Sequence, residues 1–157
     1  MTFIRLSLVG LILAGALLSL PARAFCFQEA GARYHIDPLL LRAMTNVESR
    51  FNPQAINHNR NRHGKVTSTD YGLMQINSSH IPELRALGII HSERDLLTNS
   101  CLNVQIGAWI LAKSLKRCGV TWQCLGSYNA GFAEDNSARR MIYARRVYDS
   151  YRLLRGG

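Results

Sequence analysis

The stretch V-E-S-R-F-N-P, residues 47–53, and the later S-T-D-Y-G-L-M-Q-I-N, residues 68–77, mark where a helix ends and where the chain returns with a second acid. Upstream, Asp37 is a good N-cap with Pro38 at the first helical position. Leu41, Met44 and Glu48 then fall at i, i+3 and i+7, which puts two apolar side chains and a carboxyl on one helical face. The helix must stop near Arg50, because Asn52 precedes Pro53 and is biased to extended geometry. Residues 54–70 are polar and rich in Asn and Gly, with Val66-Thr67 the only β-favouring pair, which fits a loop or a small two-stranded ribbon. Glu48 and Asp70 bracket that segment.

A carboxyl beside Leu41 and Met44 should be partly desolvated and its pKa pushed upward, as a general acid at neutral pH requires. Glycosidic bond cleavage uses such an acid to protonate the leaving group, often with a second acidic group facing the developing oxocarbenium ion. The competing reading of Glu48 is a surface residue at a helix end, or one paired with Arg50. For Asp70 it is an Asx-turn residue bonding its own backbone.

The rest of the chain reads mostly as helix. Residues 26–34 suggest a short first helix. Asn77-Ser78-Ser79 can cap a helix over 80–87 that stops at Gly88, and Ser92 with Asp95 resembles a capping box for another short helix. Val104, Ala108, Leu111 and Leu115 give 101–117 the pattern of a buried central helix closed by Gly119. Thr121 caps a helix over 122–129 that Gly131 can terminate, and Met141, Ala144, Tyr148 and Tyr151 mark the apolar face of a last helix, 137–153. The fold class is α+β, predominantly α-helical with a small β element.

Residues 1–24 read as a secretory signal. Arg5 supplies a positive start, Leu6 to Leu20 is an apolar run, and Ala22-Arg23-Ala24 matches the small-x-small cleavage pattern. A membrane anchor is the alternative, but the run is short for a bilayer and Pro21 and Arg23 stop it. Cleavage leaves residues 25–157, the length of one single-core domain. Cys26, Cys101, Cys118 and Cys124 all lie downstream, and an even count in an exported chain favours disulfides, in any of three connectivities. A zinc site finds no supporting spacing, the five histidines suggest no metal, and no cofactor is expected. The net charge of +9, or about +7 without the leader's two arginines, favours polyanionic partners. For an exported chain that points to peptidoglycan, whose stem peptides bear free carboxylates, and away from nucleic acid. The basic run 57–65 has no aromatics interleaved for base stacking and reads more simply as a solvated loop.

E-S at 48–49, G-L-M-Q-I at 72–76 and Y-N-A-G at 128–131 resemble, in order, the three signature blocks of the soluble lytic transglycosylase domain. The resemblance spans roughly residues 25 to 152, and the Glu48–Asn77 stretch is also similar to the active-site region of animal-type lysozyme. C-F-Q-E-A-G-A-R-Y-H-I at 26–36 and N-S-C-L-N-V at 99–104 resemble the small members that accompany type III secretion systems, conjugation machines and type IV pili. The resemblance implies a lysozyme-like fold and pairs Cys26 with Cys101, leaving Cys118 with Cys124. It implies Glu48 and Asp70 as catalytic, although many members have no acid at the second position. Gln75 and Asn77 would form the cleft floor and offer amide groups to sugar. Tyr128 would supply a stacking face, Asn129 a hydrogen bond, and Tyr143 a hydroxyl reaching the acid. Ser49 would orient a substrate acyl group or bond the backbone. Ser127 stands where the family usually has Ala.

What the resemblance implies for function is cleavage of the β-1,4 bond between N-acetylmuramic acid and N-acetylglucosamine to a 1,6-anhydro product, in the periplasm, by a monomer serving a secretion, conjugation or pilus apparatus. A hydrolytic muramidase is the nearest alternative, and a non-catalytic wall-binding assembly factor a more distant one.

Overall fold

The computed structural model describes residues 25–156, so the expected leader lies outside the described residues. The first helix, α1 (Phe27–Tyr34), leads to α2 (Pro38–Ser49), which starts as its sequence dictates: the Asp37 carboxylate accepts the Leu39 N–H at 2.8 Å, with Pro38 next. It ends at Ser49, where Arg50 (φ 52°) and Phe51 (φ 61°) both take left-handed conformations. That geometry costs non-glycine residues about 1 kcal/mol each, and the Phe51 ring offsets part of it by packing against Phe25 and Phe27. The reversal leaves Glu48 on the last turn of the helix.

The polar segment forms an antiparallel sheet of β1 (Ile56–Arg60), β2 (Val66–Tyr71) and β3 (Ile76–Asn77), in that order. A register irregularity separates Asn59 from Arg60, and Asp70 stands opposite Asn57 on one side and Asn77 on the other. The third strand was not expected, because two residues cannot show a period-two pattern.

The side chain of Asn77 caps the next turn by accepting the Ser79 N–H at 2.9 Å, and α3 (Ile81–Ala86) follows, with the expected stop at Gly88 (φ 67°). The next short helix is α4, Asp95–Thr98. Only half of a capping box forms: the Asp95 carboxylate accepts the His91 and Ser92 N–H groups, which holds its pKa below the usual range, while the Ser92 hydroxyl takes no part. The central helix α5 (Ser100–Cys118) is capped by Asn99 and buries Val104, Ala108 and Leu111 completely. The Cys26–Cys101 disulfide ties its start to α1, and Cys118–Cys124 ties its end to the next helix.

The helix expected over 122–129 is two pieces, α6 (Trp122–Leu125) and α7 (Ser127–Ala130), meeting at Gly126. A Cβ at Gly126 would lie 2.2 Å from the Arg140 carbonyl oxygen, so the last helix, α8 (Ser137–Gly156), comes against bare backbone there. Its buried face also differs from expectation. Tyr143, Ala144, Val147 and Ser150 face inward, while Met141 and Tyr148 are exposed and Tyr151 is half-buried. Packing against α2 sets that rotation: the Ser150 hydroxyl accepts from the Asn46 amide at 3.0 Å and the Tyr143 phenol meets Glu48. The architecture is the lysozyme-like α+β arrangement, mostly helical with one small sheet.

The two disulfides should differ in weight. Replacing Cys26 and Cys101, 75 residues apart, by serine should cost about 4 kcal/mol in urea unfolding, and replacing Cys118 and Cys124, 6 apart, only about 2 kcal/mol.

Candidate active site

The turn Gly72–Gln75 is held by side chains from three helices. Gly72 (φ 73°) can be nothing but glycine, since a Cβ would lie 2.3 Å from the Asn103 amide nitrogen and 2.5 Å from the Leu96 carbonyl. Asn103, fully buried on α5, accepts the Met74 N–H at 2.8 Å and donates to the Tyr71 and Leu96 carbonyls, each at 2.9 Å. The Ser49 hydroxyl donates to the Leu73 carbonyl at 2.8 Å, and the Tyr128 hydroxyl to that of Met74 at 2.8 Å. Side chains thus satisfy the Leu73 carbonyl and both backbone groups of Met74, while backbone bonds from Gly72 to Ala55 and from Gln75 to Gly72 close the turn.

Glu48 reaches over this turn from the end of α2. The Tyr143 hydroxyl donates to its Oε1 at 2.5 Å. Burial pushes the Glu48 carboxyl up to about 7; the Tyr143 hydrogen bond and the Arg146 charge oppose that rise, and the negative charge of Asp70 adds to it. Burial also drives the Tyr143 and Tyr128 phenols well above their ordinary value, so both remain hydrogen-bond donors.

Asp70 sits on β2 with one amide on each oxygen: Asn77 donates to Oδ1 at 2.7 Å and Asn59 to Oδ2 at 2.8 Å. Both amides also donate to the Ser68 hydroxyl at 3.0 Å. This side-chain clamp replaces the Asx-turn alternative; neighbouring strands hold the carboxylate and its own backbone does not.

Glu48, Asp70, Gln75, Asn77, Tyr128 and Asn129 line one open cleft of about 470 Å³. Two expected contacts lie behind it. Tyr143 backs Glu48, and Ser49 is spent on the Leu73 carbonyl, which decides for the backbone alternative. Asn77 lines the cleft, but both ends of its amide are engaged, the nitrogen by Asp70 and Ser68 and the oxygen by the Ser79 N–H. Gln75 (φ 48°) likewise turns its amide nitrogen inward, to the Gly72 and Ala55 carbonyls, keeping only its oxygen for a ligand. The Tyr128 ring is half-buried with its hydroxyl committed. Asn129 is exposed, and its side chain donates no hydrogen bond among the described residues. Asn59 and Asn103 were not anticipated. Asn59 lay in what read as a solvated run, while Asn103 is polar in the middle of an apolar helix face, a signal the i, i+4 pattern passes over. No metal-binding cluster of His, Cys, Asp or Glu occurs among the described residues.

The sequence model of the Transglycosylase SLT domain matches residues 25–149. The chain belongs to this family. Among its relatives are a "Peptidoglycan-binding-like protein" of Escherichia coli O157:H7, 52% identical over 85% of this chain and 80% of the relative, and the "Invasion protein IagB" of Salmonella typhimurium, 42% identical over 86% and 80%. An Escherichia coli "X polypeptide" is 44% identical over 80% of this chain and 72% of its own. In this SLT domain the three sequence blocks are one object: the Glu48-Ser49 helix end, the 72–76 turn it pins, and Tyr128 closing that turn from the other side.

Asn103→Leu would strip partners from two buried backbone groups and one partly buried one, and should cost about 3 kcal/mol or more in urea unfolding. Glu48 makes a pH-dependent contribution of opposite kind. Its carboxyl binds a proton more tightly folded, at about 7, than at its ordinary 4.5, so the folded chain holds more protons across that window and loses stability as pH rises through it. Glu48→Gln should therefore match the wild type below pH 4.5 and exceed its stability above pH 7 by up to about 3 kcal/mol, seen as a difference between the two proteins that grows from pH 4.5 to pH 7.

Proposed function

We propose that this protein is a peptidoglycan lytic transglycosylase with Glu48 as its acid and then its base. The neutral Glu48 carboxyl gives its proton to the glycosidic oxygen between N-acetylmuramic acid and N-acetylglucosamine, and the C1–O bond breaks. The N-acetylglucosamine leaves with a free 4-hydroxyl. Positive charge develops at the muramoyl C1, where the Asp70 carboxylate in its amide clamp offers electrostatic stabilisation. The muramoyl 6-hydroxyl oxygen then bonds to C1 and its proton passes to Glu48, closing a 1,6-anhydro ring and restoring the acid without consuming water.

The observation that bears this reading is the half-buried Glu48 in an open cleft, with a pKa raised to about 7 and its Oε1 accepting the Tyr143 hydroxyl, which leaves Oε2 to carry the proton. A general acid that must later serve as base works best with a pKa near the ambient pH. Membership of the SLT domain family supports murein as the substrate. The relatives named for peptidoglycan binding and invasion favour a role in opening the wall locally for an envelope-spanning apparatus. The same reading includes export to the periplasm on residues 1–24 and action as a monomer with no cofactor.

The second reading, a hydrolytic muramidase, is favoured by one observation: Asp70 lines the same cleft as Glu48, in the manner of a second catalytic carboxylate.

Digestion of purified sacculi followed by product masses decides between them. Anhydromuramoyl ends, one water lighter than reducing ends, are expected, and reducing ends in their place would make this a hydrolase. Glu48→Gln should lower turnover at least about a hundredfold with the fold intact. Asp70→Asn should lower it by roughly 1 to 3 kcal/mol of transition-state stabilisation while murein binding is nearly unchanged. Because the new amide would face the Asn59 or Asn77 amide, a parallel measurement of unfolding separates lost charge from a loosened clamp.

A further inference from the structure

The cleft runs on into a smaller hollow of about 180 Å³. The two share His80, Ile110, Ser114 and Phe132, and the hollow adds Lys113 and Arg117 from α5. The cations are not equivalent. Lys113 is already occupied: its Nζ lies 2.9 and 3.2 Å from the Glu83 carboxylate oxygens and 4.2 Å from the centre of the Trp109 ring. Arg117 pairs with no carboxylate among the described residues. Its guanidinium lies over the Phe132 ring, 4.1 Å from the centroid, so an aromatic wall of the cleft holds the charge at the junction of the two spaces. Burial lowers the His80 pKa, making it a neutral hydrogen-bonding neighbour rather than a third cation.

We propose that this hollow receives a carboxylate of the peptide borne by a muramic acid unit in the cleft, with Arg117 as its anchor. The inference rests on murein being the substrate. Along a glycan strand the sugar hydroxyls and N-acetyl groups are neutral, and the anionic groups belong to the peptides on the muramoyl lactyl arms. A planar guanidinium with free donors is matched to a planar carboxylate. The hollow is continuous with the cleft, so a peptide on a muramic acid unit bound there can reach it without leaving the site. Arg117 therefore distinguishes peptide-bearing from bare glycan and biases cleavage toward wall that has not been stripped.

The test uses the catalytically silenced Glu48→Gln protein and three probes: peptide-bearing glycan strands, the same strands with their carboxylates capped as methylamides, and strands stripped of peptide by an amidase. Stripped strands keep a lactyl carboxylate, so they separate the two sources of negative charge. Binding to peptide-bearing strands should be about tenfold tighter than to either other probe, the scale of one hydrogen bond to a charged group. Adding Arg117→Gln should remove that preference and leave binding to stripped strands unchanged, while Arg117→Lys should keep part of it. Equal binding of all three probes would overturn the peptide subsite and leave the murein reading standing. Tightest binding to the stripped strands, the one probe with a free lactyl carboxylate, would assign the anion to the lactyl group and also overturn it. Failure to bind any strand would remove the murein reading, and the subsite with it.

Discussion

Burying a carboxyl group at the end of a helix is the constraint on which the rest of the arrangement depends. Removing Glu48 from water favours its neutral form, and a pKa near 7 corresponds to about 3 kcal/mol of strain on the charged form. The fold meets this by bringing a donor from far along the chain. Tyr143, 2% exposed on α8, lies 95 residues from Glu48 in sequence and donates directly to it. The same pairing of α2 with α8 includes the Asn46–Ser150 hydrogen bond. The rotation of the last helix is thus fixed by polar contacts, and the apolar residues take the places those contacts leave.

That rotation explains one of the places where sequence reasoning went astray. The spacing of Met141, Ala144, Tyr148 and Tyr151 describes a plausible apolar face, yet the inward one runs through Tyr143, Val147 and Ser150, because a buried hydroxyl with a partner outranks an exposed thioether. Where local chemistry decides, the sequence was readable. Asp37-Pro38 announced the start of α2, Leu41 and Met44 announced the face that buries Glu48, and Asn77 announced its cap. Where a side chain acts through distant backbone, it was not. Asn103 and Asn59 have no local signature, and the inward-turned amides of Gln75 and Asn77 become visible only once their partners are placed.

Those committed amides change the character of the cleft. A floor of Gln and Asn reads in sequence as a set of sugar-binding groups, but here most of their donors are used to build the site. Asn77 and Asn59 position Asp70, and Gln75 stiffens the turn beneath it. The small sheet has the corresponding purpose: its three strands put Asn77 opposite Asp70 and Asn59 diagonally across from it on the other side, so that one carboxylate can be gripped at both oxygens. A preorganised charge of this kind needs no rearrangement when a positive centre develops nearby, which is what makes fixed dipoles and charges effective in transition states.

Burial and hydrogen bonding at Glu48 pull against each other, and on the proposed mechanism both are needed. Burial alone would raise the carboxyl pKa further, giving a group that holds its proton too firmly to release it to a glycosidic oxygen. A hydrogen bond and a nearby cation alone would lower it, giving a carboxylate that has no proton to give. Tyr143 and Arg146 draw the group back from the value that desolvation would impose, to about 7. There the proton can leave in the first half of the reaction and return from the muramoyl 6-hydroxyl in the second. A hydrolase that activates water through the same residue would ask for a similar pKa, so the tuning of Glu48 does not choose the product. What occupies the space beside C1, a 6-hydroxyl or a water, does.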